Sequence, residues 1–554
     1  MRIYIADIND TLRTIAKKFN FSIETLLSLN PNITNPDHEV AGVQICLPPD
    51  SHRSPPFSDI PNCANPFLYP FEYYLDQWIP LTSIEEMASK EYDFIIAGTG
   101  FGGGAVLWRL CEKWRNTGKR IAVIEAGDLV LPTNMNNIPT LNGDRNMRFF
   151  TNPKRWRTIS TVNSISLDES TPLKSSPYYF NEFFGLGGRS LFWGAVTPRM
   201  HPIDIAQWPV SLKEMNRYYT ISEQMMNVST EYVKNSTFSE ILLNRLLNNG
   251  FPETSLLPIA ADTQPTQFGN VHSNVFFSSL EFFAWALSLS SFDLAVRARV
   301  AKVLTDQGKT VGVEVMSRDK KKYHIKGKNV VLSASTFETP RILLYSGIPG
   351  KAIGHYFTTH SRVEGMVNFL TADFPEILGT AGVLIPRTTE REYQIQIGYN
   401  AYLYELIPRA MQEDVWFGAS GVIESRYENY VSLNPDKVDD YGIPELEIQF
   451  SYSLKDKEVI QQMIEGIKSA SVAAQGLLRS LCLGDPGLVY HDMGTCRMGI
   501  DPATSATNPD GQIHGIQGLY VADNSVIPTS GAANNTLTTV ALATRTADKI
   551  MKHF

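Results

Sequence analysis

Cysteine is scarce in this chain of 554 residues: five, odd in number and widely scattered. Cys46, Cys63, Cys111, Cys482 and Cys496 form no CxxC pair, which argues against a disulfide framework and against a cysteine-based zinc site. Positive charge is not in excess either. The formal net charge is −8, so nucleic acid, which needs a concentrated basic face, is not the main partner. The basic cluster "RDKKKYHIKGK" (Arg318 to Lys328) sits between strand-like runs and reads as a solvated hairpin. No apolar run approaches the roughly twenty residues that cross a bilayer. The opening "MRIYIADINDTL" lacks an apolar core of the signal-peptide type, so the expectation is a cytoplasmic product, with release or association with cell wall or spore left open. No low-complexity tract is present, and the length exceeds what one core organises, so two or three domains are expected.

What is there begins with a small unit at residues 1–48. "RIYIAD" alternates like a strand, and "DTLRTIAKKF" offers Asp10 and Thr11 as caps with Leu12, Ile15, Ala16 and Phe19 on one helical face. "SIETLLSLNP" repeats the device, with Ser22 as cap, Ile23, Leu26 and Leu27 inward, and Asn30-Pro31 as terminator. "VQICLPP" returns as a strand. This βααβ order resembles a LysM module, although "ADIND" lacks the glycine common before its Asp-Thr pair. The resemblance implies a partner: a glycan containing N-acetylglucosamine, bound by residues 1–48. Residues 49–88 read as a proline-rich linker followed by the aromatic docking segment "FLYPFEYYLDQW".

"YDFIIAGTGFGGGAVLWRL" then carries a dinucleotide signature. A short buried strand runs into Gly98-x-Gly100-x-x-Gly103 and out into a helix, and that context makes the glycine pattern specific. Gly98 permits the tight turn, Gly100 lets a pyrophosphate reach the backbone, and Gly103 lets helix pack on strand. The helix N-terminus faces the phosphates with its partial positive charge. "KRIAVIEAG" follows as a second buried strand ending in Glu125, at the spacing of about 20 residues expected of an acid that takes ribose hydroxyls. No second glycine fingerprint for a nicotinamide nucleotide follows, which favours a flavin nucleotide.

Near the C-terminus stands "VYHDMGTCRMG", then "GLYVAD" as a strand, "IPTSGAANN" as a loop and "TLTTVALATRTADKI" as a small-residue helix. Together with "GTGFGGG", "GLGGRSLFWG" and "VVLSASTFETPRILLYSGI", this order is similar to the glucose-methanol-choline (GMC) family of FAD-dependent alcohol oxidoreductases, over residues 90 to 554. The motif shape is closest to its pyranose oxidase branch. The resemblance implies an α/β fold: a Rossmann-type FAD-binding domain (89–204, 291–360 and 486–554) interleaved with an α+β substrate domain (205–290 and 361–485).

The resemblance also implies the chemistry. Oxidising an alcohol needs a base for the hydroxyl proton and a donor for its oxygen, while the hydride passes to flavin N5. His491 falls on the family's catalytic histidine, and Asn534 on its partner, an amide that orients rather than abstracts. Gly98, Gly100, Phe101, Gly102, Gly103, Glu125, Gly188, Ser190, Phe192, Val300, Asp523 and Thr536 are the expected cofactor-binding residues. Phe192 stands where the pyranose oxidase branch carries a histidine bonded to flavin, so non-covalent FAD is expected. Cys496 is read as packing, and His491 and His514 lie too far apart, without an acidic cluster, to suggest a metal site. The implied substrate is a sugar, glycoside or related polyol, with oxygen, a quinone or a protein as electron acceptor. A hydroxynitrile lyase, or a glycan-binding coat protein with an inert oxidoreductase domain, are the alternatives.

Overall fold

The computed structural model describes residues 2–48, 80–115, 117–129, 156–158, 178, 181–191, 193–262, 265–266, 269–272, 275–370, 374, 381–398 and 412–552. Cys63, Phe192 and nearly all of the linker and docking segment lie outside these residues. The chain divides into two compact units, Met1–Leu81 and Thr82–Phe554.

In the smaller unit, strands β1 (Arg2–Ile5) and β2 (Gln44–Leu47) pair antiparallel around helices α1 (Leu12–Phe19) and α2 (Ile23–Leu29). Thr11 rather than Asp10 caps α1: its hydroxyl accepts from Thr14 N while the Thr14 hydroxyl accepts from Thr11 N. Asp10 is instead taken up by the Tyr4 hydroxyl. Asn30 ends α2 for a specific reason. Its buried amide donates to the carbonyls of Leu26 and Cys46 and accepts from Cys46 N, tying the helix end to β2. Leu12, Ile15, Ala16 and Leu26 close a core with Ile45 and Leu47.

In the larger unit, β3 (Glu91–Ala97) leads into α3 (Phe101–Lys113), and β4 (Ile121–Ile124) lies parallel beside β3. On the other side of β3 lies β5 (Lys322–Leu332), also parallel. Among the described residues the sheet has seven strands, in the order Asp293–Ala295, β4, β3, β5, Lys309–Ser317, Ala298–Asp306, with Leu519–Val521 pairing β5 in parallel. Lys309–Ser317 and β5 form the antiparallel hairpin expected around the basic cluster. Apolar side chains fill both faces of β3 and β4, as they must where helices cover a parallel sheet. β5 ends at Leu332, and helix α4 (Ser335–Tyr345) follows within a few residues.

A second, antiparallel sheet, of six strands among the described residues, comes from other stretches of the chain. Its centre is β6 (Ser361–Leu370), β7 (Tyr393–Ile397) and β8 (Gln412–Gly421), with β8 between the other two. Alternation divides its faces. Val363, Val367, Ile395, Ile397, Phe417 and Ala419 point one way and pack on Val459, Ile460, Met463 and Ile467 of the long helix Leu454–Ala473. Arg362, Glu364, Gln394, Gln396 and Trp416 stand at the intervening positions. The final helix α5 (Thr536–Met551) packs by its small residues against α3. Among the described residues, no helix is long and apolar enough to cross a membrane.

Candidate active site

The carboxyl ends of β3, β4 and β5 open onto one cavity of about 660 Å³. This is where open parallel sheets hold their ligands, because the strands end there and helix N-termini face the gap. Gly98 makes the turn with φ of 100°, and a side chain there would strike the Ser333 carbonyl at 2.2 Å. Gly102 and Gly103 are equally constrained, against the carbonyls of Ala522 at 1.8 Å and Gly98 at 2.1 Å. Gly100 differs. Among the described residues, nothing beyond its own chain neighbours and helix backbone comes within 4 Å of a Cβ placed on it, so its backbone faces open space at the N-terminus of α3. That is the cradle a phosphate group needs.

Glu125, at the end of β4, is buried on the cavity wall. Its Oε2 accepts from the Thr99 hydroxyl at 2.5 Å and its Oε1 from Gly127 N at 2.7 Å. Burial pushes its carboxyl above the usual range, and these donors oppose the push. Asp523 does not extend the strand Leu519–Val521. It caps the next turn by accepting from Ser525 N, and its other oxygen accepts from Ser335 N at 3.1 Å and from the Thr339 hydroxyl at 2.5 Å. These bonds hold Ser335 at φ of 93°, a left-handed backbone rare for serine, at the cavity edge.

At the other end of the cavity, His491 Nε2 lies 3.3 Å from Asn534 Nδ2. The Asn534 Oδ1 accepts from the side-chain amides of Gln394 at 3.2 Å and Gln396 at 2.5 Å, so its NH2 group is the part turned to the histidine. His491 Nδ1 meets His360 Nδ1 at 2.8 Å. Burial, then His360, Arg362 and Arg189, hold the His491 imidazole well below its ordinary pKa, hence neutral. The backbone here is fixed: the Thr336 hydroxyl donates to the Asp492 carbonyl at 2.7 Å, and the buried Asp492 carboxylate accepts from Tyr178. A neutral imidazole nitrogen beside an amide NH2 can take a hydroxyl proton while the amide holds the hydroxyl oxygen.

The polar face of the second sheet supplies Arg362, Glu364, Gln396 and Trp416 to the same cavity. Register explains the grouping: Arg362 and Gln394 both pair with Ser420, while Glu364 and Gln396 both pair with Gly418. Gly418 is required. A Cβ there would meet the Trp416 ring at 2.1 Å and Arg362 at 2.4 Å, so its absence lets the guanidinium lie 4.5 Å from the indole. Arg362 also pairs with Glu364 at 3.2 Å.

Of the residues expected from the sequence, Gly98, Gly100, Phe101, Gly102, Glu125, Gly188, Ser190, Val300, Asp523, Thr536, His491 and Asn534 all border this cavity. Gly103 does not; it is spent on helix–strand packing. His360, Arg362, Gln394, Gln396 and Trp416 were not anticipated, and no local motif marks them. Among the described residues, no group of three or more His, Cys, Asp or Glu side chains could hold a metal ion. Cys46, Cys111, Cys482 and Cys496 are free thiols, and burial raises the Cys496 thiol well above its usual range, in keeping with packing.

Two family descriptions, both "GMC oxidoreductase", match residues 175–362 and 425–543, together more than half of the chain, and a third, "LysM domain", matches residues 5–48. The chain belongs to the GMC oxidoreductases. It is 28% identical over 393 residues to a C-glycoside 3-oxidase of Arthrobacter globiformis, covering 66% of this chain and 73% of that one. It is 22% identical to a pyranose 2-oxidase of Tricholoma matsutake, covering 66% and 72%. Among solved structures, a formate oxidase of Aspergillus oryzae examined for modification of its FAD superposes with a TM-score of 0.62, at 15% identity, over 84% of this chain and 98% of that one.

FAD is the cofactor of this family, and the residues present fit it. Gly100 offers an open backbone cradle, Glu125 an acceptor at the strand end, and the buried Asn535 Nδ2, without a partner among the described residues, a spare donor on the cavity wall. When bound, FAD supplies the acceptor for the carbinol hydride.

Proposed function

We propose that the protein oxidises a CH–OH group of a sugar, glycoside or related polyol to a carbonyl, with His491 as general base and Asn534 holding the hydroxyl oxygen. The observation that carries this reading is the convergence of His491 Nε2 and Asn534 Nδ2 on the cavity, 3.3 Å apart. A hydroxyl between them gives its proton to Nε2 and accepts from Nδ2. The roof supports the substrate class. Glu364 and Gln396 offer acceptors, Arg362 and Gln396 offer donors, and Trp416 offers an apolar ring face for the C–H side of a sugar. Arg362 and Glu364 neutralise each other, which suits an uncharged polyol. The names of the relatives, C-glycoside 3-oxidase and pyranose 2-oxidase, support the same class.

FAD is held without a covalent bond in this reading, because phenylalanine stands at position 192. Residues 1–48 carry a glycan containing N-acetylglucosamine, in keeping with the LysM match. Anaerobic mixing of the flavin-loaded protein with sugars and glycosides tests the function. Loss of the flavin's visible absorbance with a member of that panel is expected. A flavin that stays oxidised with every sugar, glycoside and polyol would overturn the reading, and is what a lyase on the same fold would give.

A further inference from the structure

Behind His491, on the side away from the cavity, lies a second imidazole. Residues 358–360 run antiparallel to residues 491–493: Thr358 N donates to Met493 O at 3.0 Å and Met493 N to Thr358 O at 2.8 Å. Continuing that register by two residues sets His360 opposite His491 on the same face, since side chains of extended backbone alternate. The rings meet edge to face, at 81°, with Nδ1 of one 2.8 Å from Nδ1 of the other. His360 is 1% exposed and does not border the cavity, so it reaches the cavity only through His491.

The far nitrogen of His360 decides what the contact between the rings must be. His360 Nε2 lies 3.1 Å from the Ser530 carbonyl, a group that only accepts. The proton of His360 therefore sits on Nε2. Burial, with Arg362 nearby, draws the ring's pKa down to about 4, so it carries only that proton near neutral pH. Its Nδ1 is then a lone pair, and the 2.8 Å contact is a hydrogen bond only if His491 donates from its own Nδ1. One proton on a neutral ring leaves His491 Nε2 bare, facing Asn534 and the cavity. The opposite polarity would set two acceptors against each other at Ser530, buried from water.

Resting on the reading of His491 as general base, we propose that His360 is a positioning residue: it fixes His491 as the Nδ1–H tautomer and so presents an unprotonated Nε2 to the substrate hydroxyl. The backbone carbonyl of Ser530 anchors the chain, and a carbonyl cannot flip. The device differs from a carboxylate behind a histidine in being neutral before the proton is taken, so it sets the tautomer without adding a negative charge.

Nitrogen-15 NMR of histidine-labelled, flavin-loaded protein tests this directly, with His491 and His360 signals assigned by single substitutions. The expected spectrum shows a proton on Nδ1 and none on Nε2 of His491, with the reverse in His360. His360→Ala should mix the tautomers of His491 and slow flavin reduction, by less than the roughly hundredfold or more expected for losing the base itself, with little change in apparent substrate affinity. His360→Asn, which can place an oxygen acceptor where Nδ1 stood, should recover most of that loss. A proton on His491 Nε2 in the unaltered protein would overturn the proposal. So would unchanged tautomer and reduction rate in a folded, flavin-loaded His360→Ala. Should no alcohol be oxidised while the tautomers are as stated, the proposed function fails and the positioning role stands.

Discussion

His491 and Asn534 are separated by 43 positions in the chain, yet Nε2 of one lies 3.3 Å from Nδ2 of the other. The histidine is brought there by a buried loop pinned to α4, and the asparagine stands just before Asn535, the cap residue of the last helix. Each is oriented from behind: His491 by His360, and Asn534 by Gln394 and Gln396. A donor and a proton acceptor are thereby fixed before any substrate arrives, so little reorganisation is left for the reaction.

The acid limb of flavin reduction should fall below pH 6.5. A base works when deprotonated, and burial together with His360, Arg362 and Arg189 lowers the pKa of His491 from 6.5. Its neutral form therefore persists as the pH drops through the range where a free histidine would already be charged. The limiting reduction rate measured against pH should show this. A limb centred at or above 6.5 would contradict it.

Gly100→Ala and Gly102→Ala should fail in different ways. Alanine at 100 meets nothing within 4 Å among the described residues beyond its chain neighbours and helix backbone, and the backbone there has φ of −62°, so the fold should survive. Its methyl group points into the cradle, so FAD content after purification should drop. Alanine at 102 would sit 1.8 Å from the Ala522 carbonyl, and the expected result is lost thermal stability or insoluble protein. Flavin content alongside thermal unfolding separates the two.

Glu125→Ala should release FAD more readily and leave the chemistry of the bound fraction intact. The carboxylate stands at the end of β4, on the same cavity as His491, and is held by the Thr99 hydroxyl and Gly127 N rather than by the histidine's own partners, His360 and Asn534. Dissociation of flavin on dilution and the reduction rate of the retained flavin are the two readouts. A reduction rate that fell while retention stayed normal would contradict the assignment.

Denaturing the protein should release all of its flavin. Intact mass under denaturing conditions is expected to equal that of the polypeptide alone, since the proposed reading sets Phe192, which offers no nucleophile, where the pyranose oxidase branch carries its flavin-bonded histidine. A mass raised by one FAD would contradict non-covalent binding.

The turn from β3 to α3 and the acid at Glu125 were legible in the sequence because each lies in a short motif, whereas His491 and Asn534 were reached through the resemblance to the GMC family. Strand, glycines and helix follow one another within some twenty residues, and local backbone requirements dictate them. His360, Arg362, Gln394, Gln396 and Trp416 carry no such mark. They are set in place by sheet register, in which Ser420 stands between Arg362 and Gln394, and by the pairing of Thr358 with Met493. Register between strands separated by many residues follows from whole-face packing against the helix Leu454–Ala473, which no single segment specifies. A lone "TTHSRVEG" therefore reads as an ordinary strand entry. The helix caps show the same limit on a smaller scale: Asp10 and Thr11 were both candidates, and only the three-dimensional partner of Asp10, Tyr4, separates them.

The most direct test compares the unaltered protein with His491→Ala in anaerobic stopped flow, using whichever sugar or glycoside reduces the flavin. The account predicts that both retain FAD and that the substitution slows reduction on the order of a hundredfold or more. Equal rates in the two proteins would contradict it, because the nitrogen that faces Asn534 would then have no part in taking the proton.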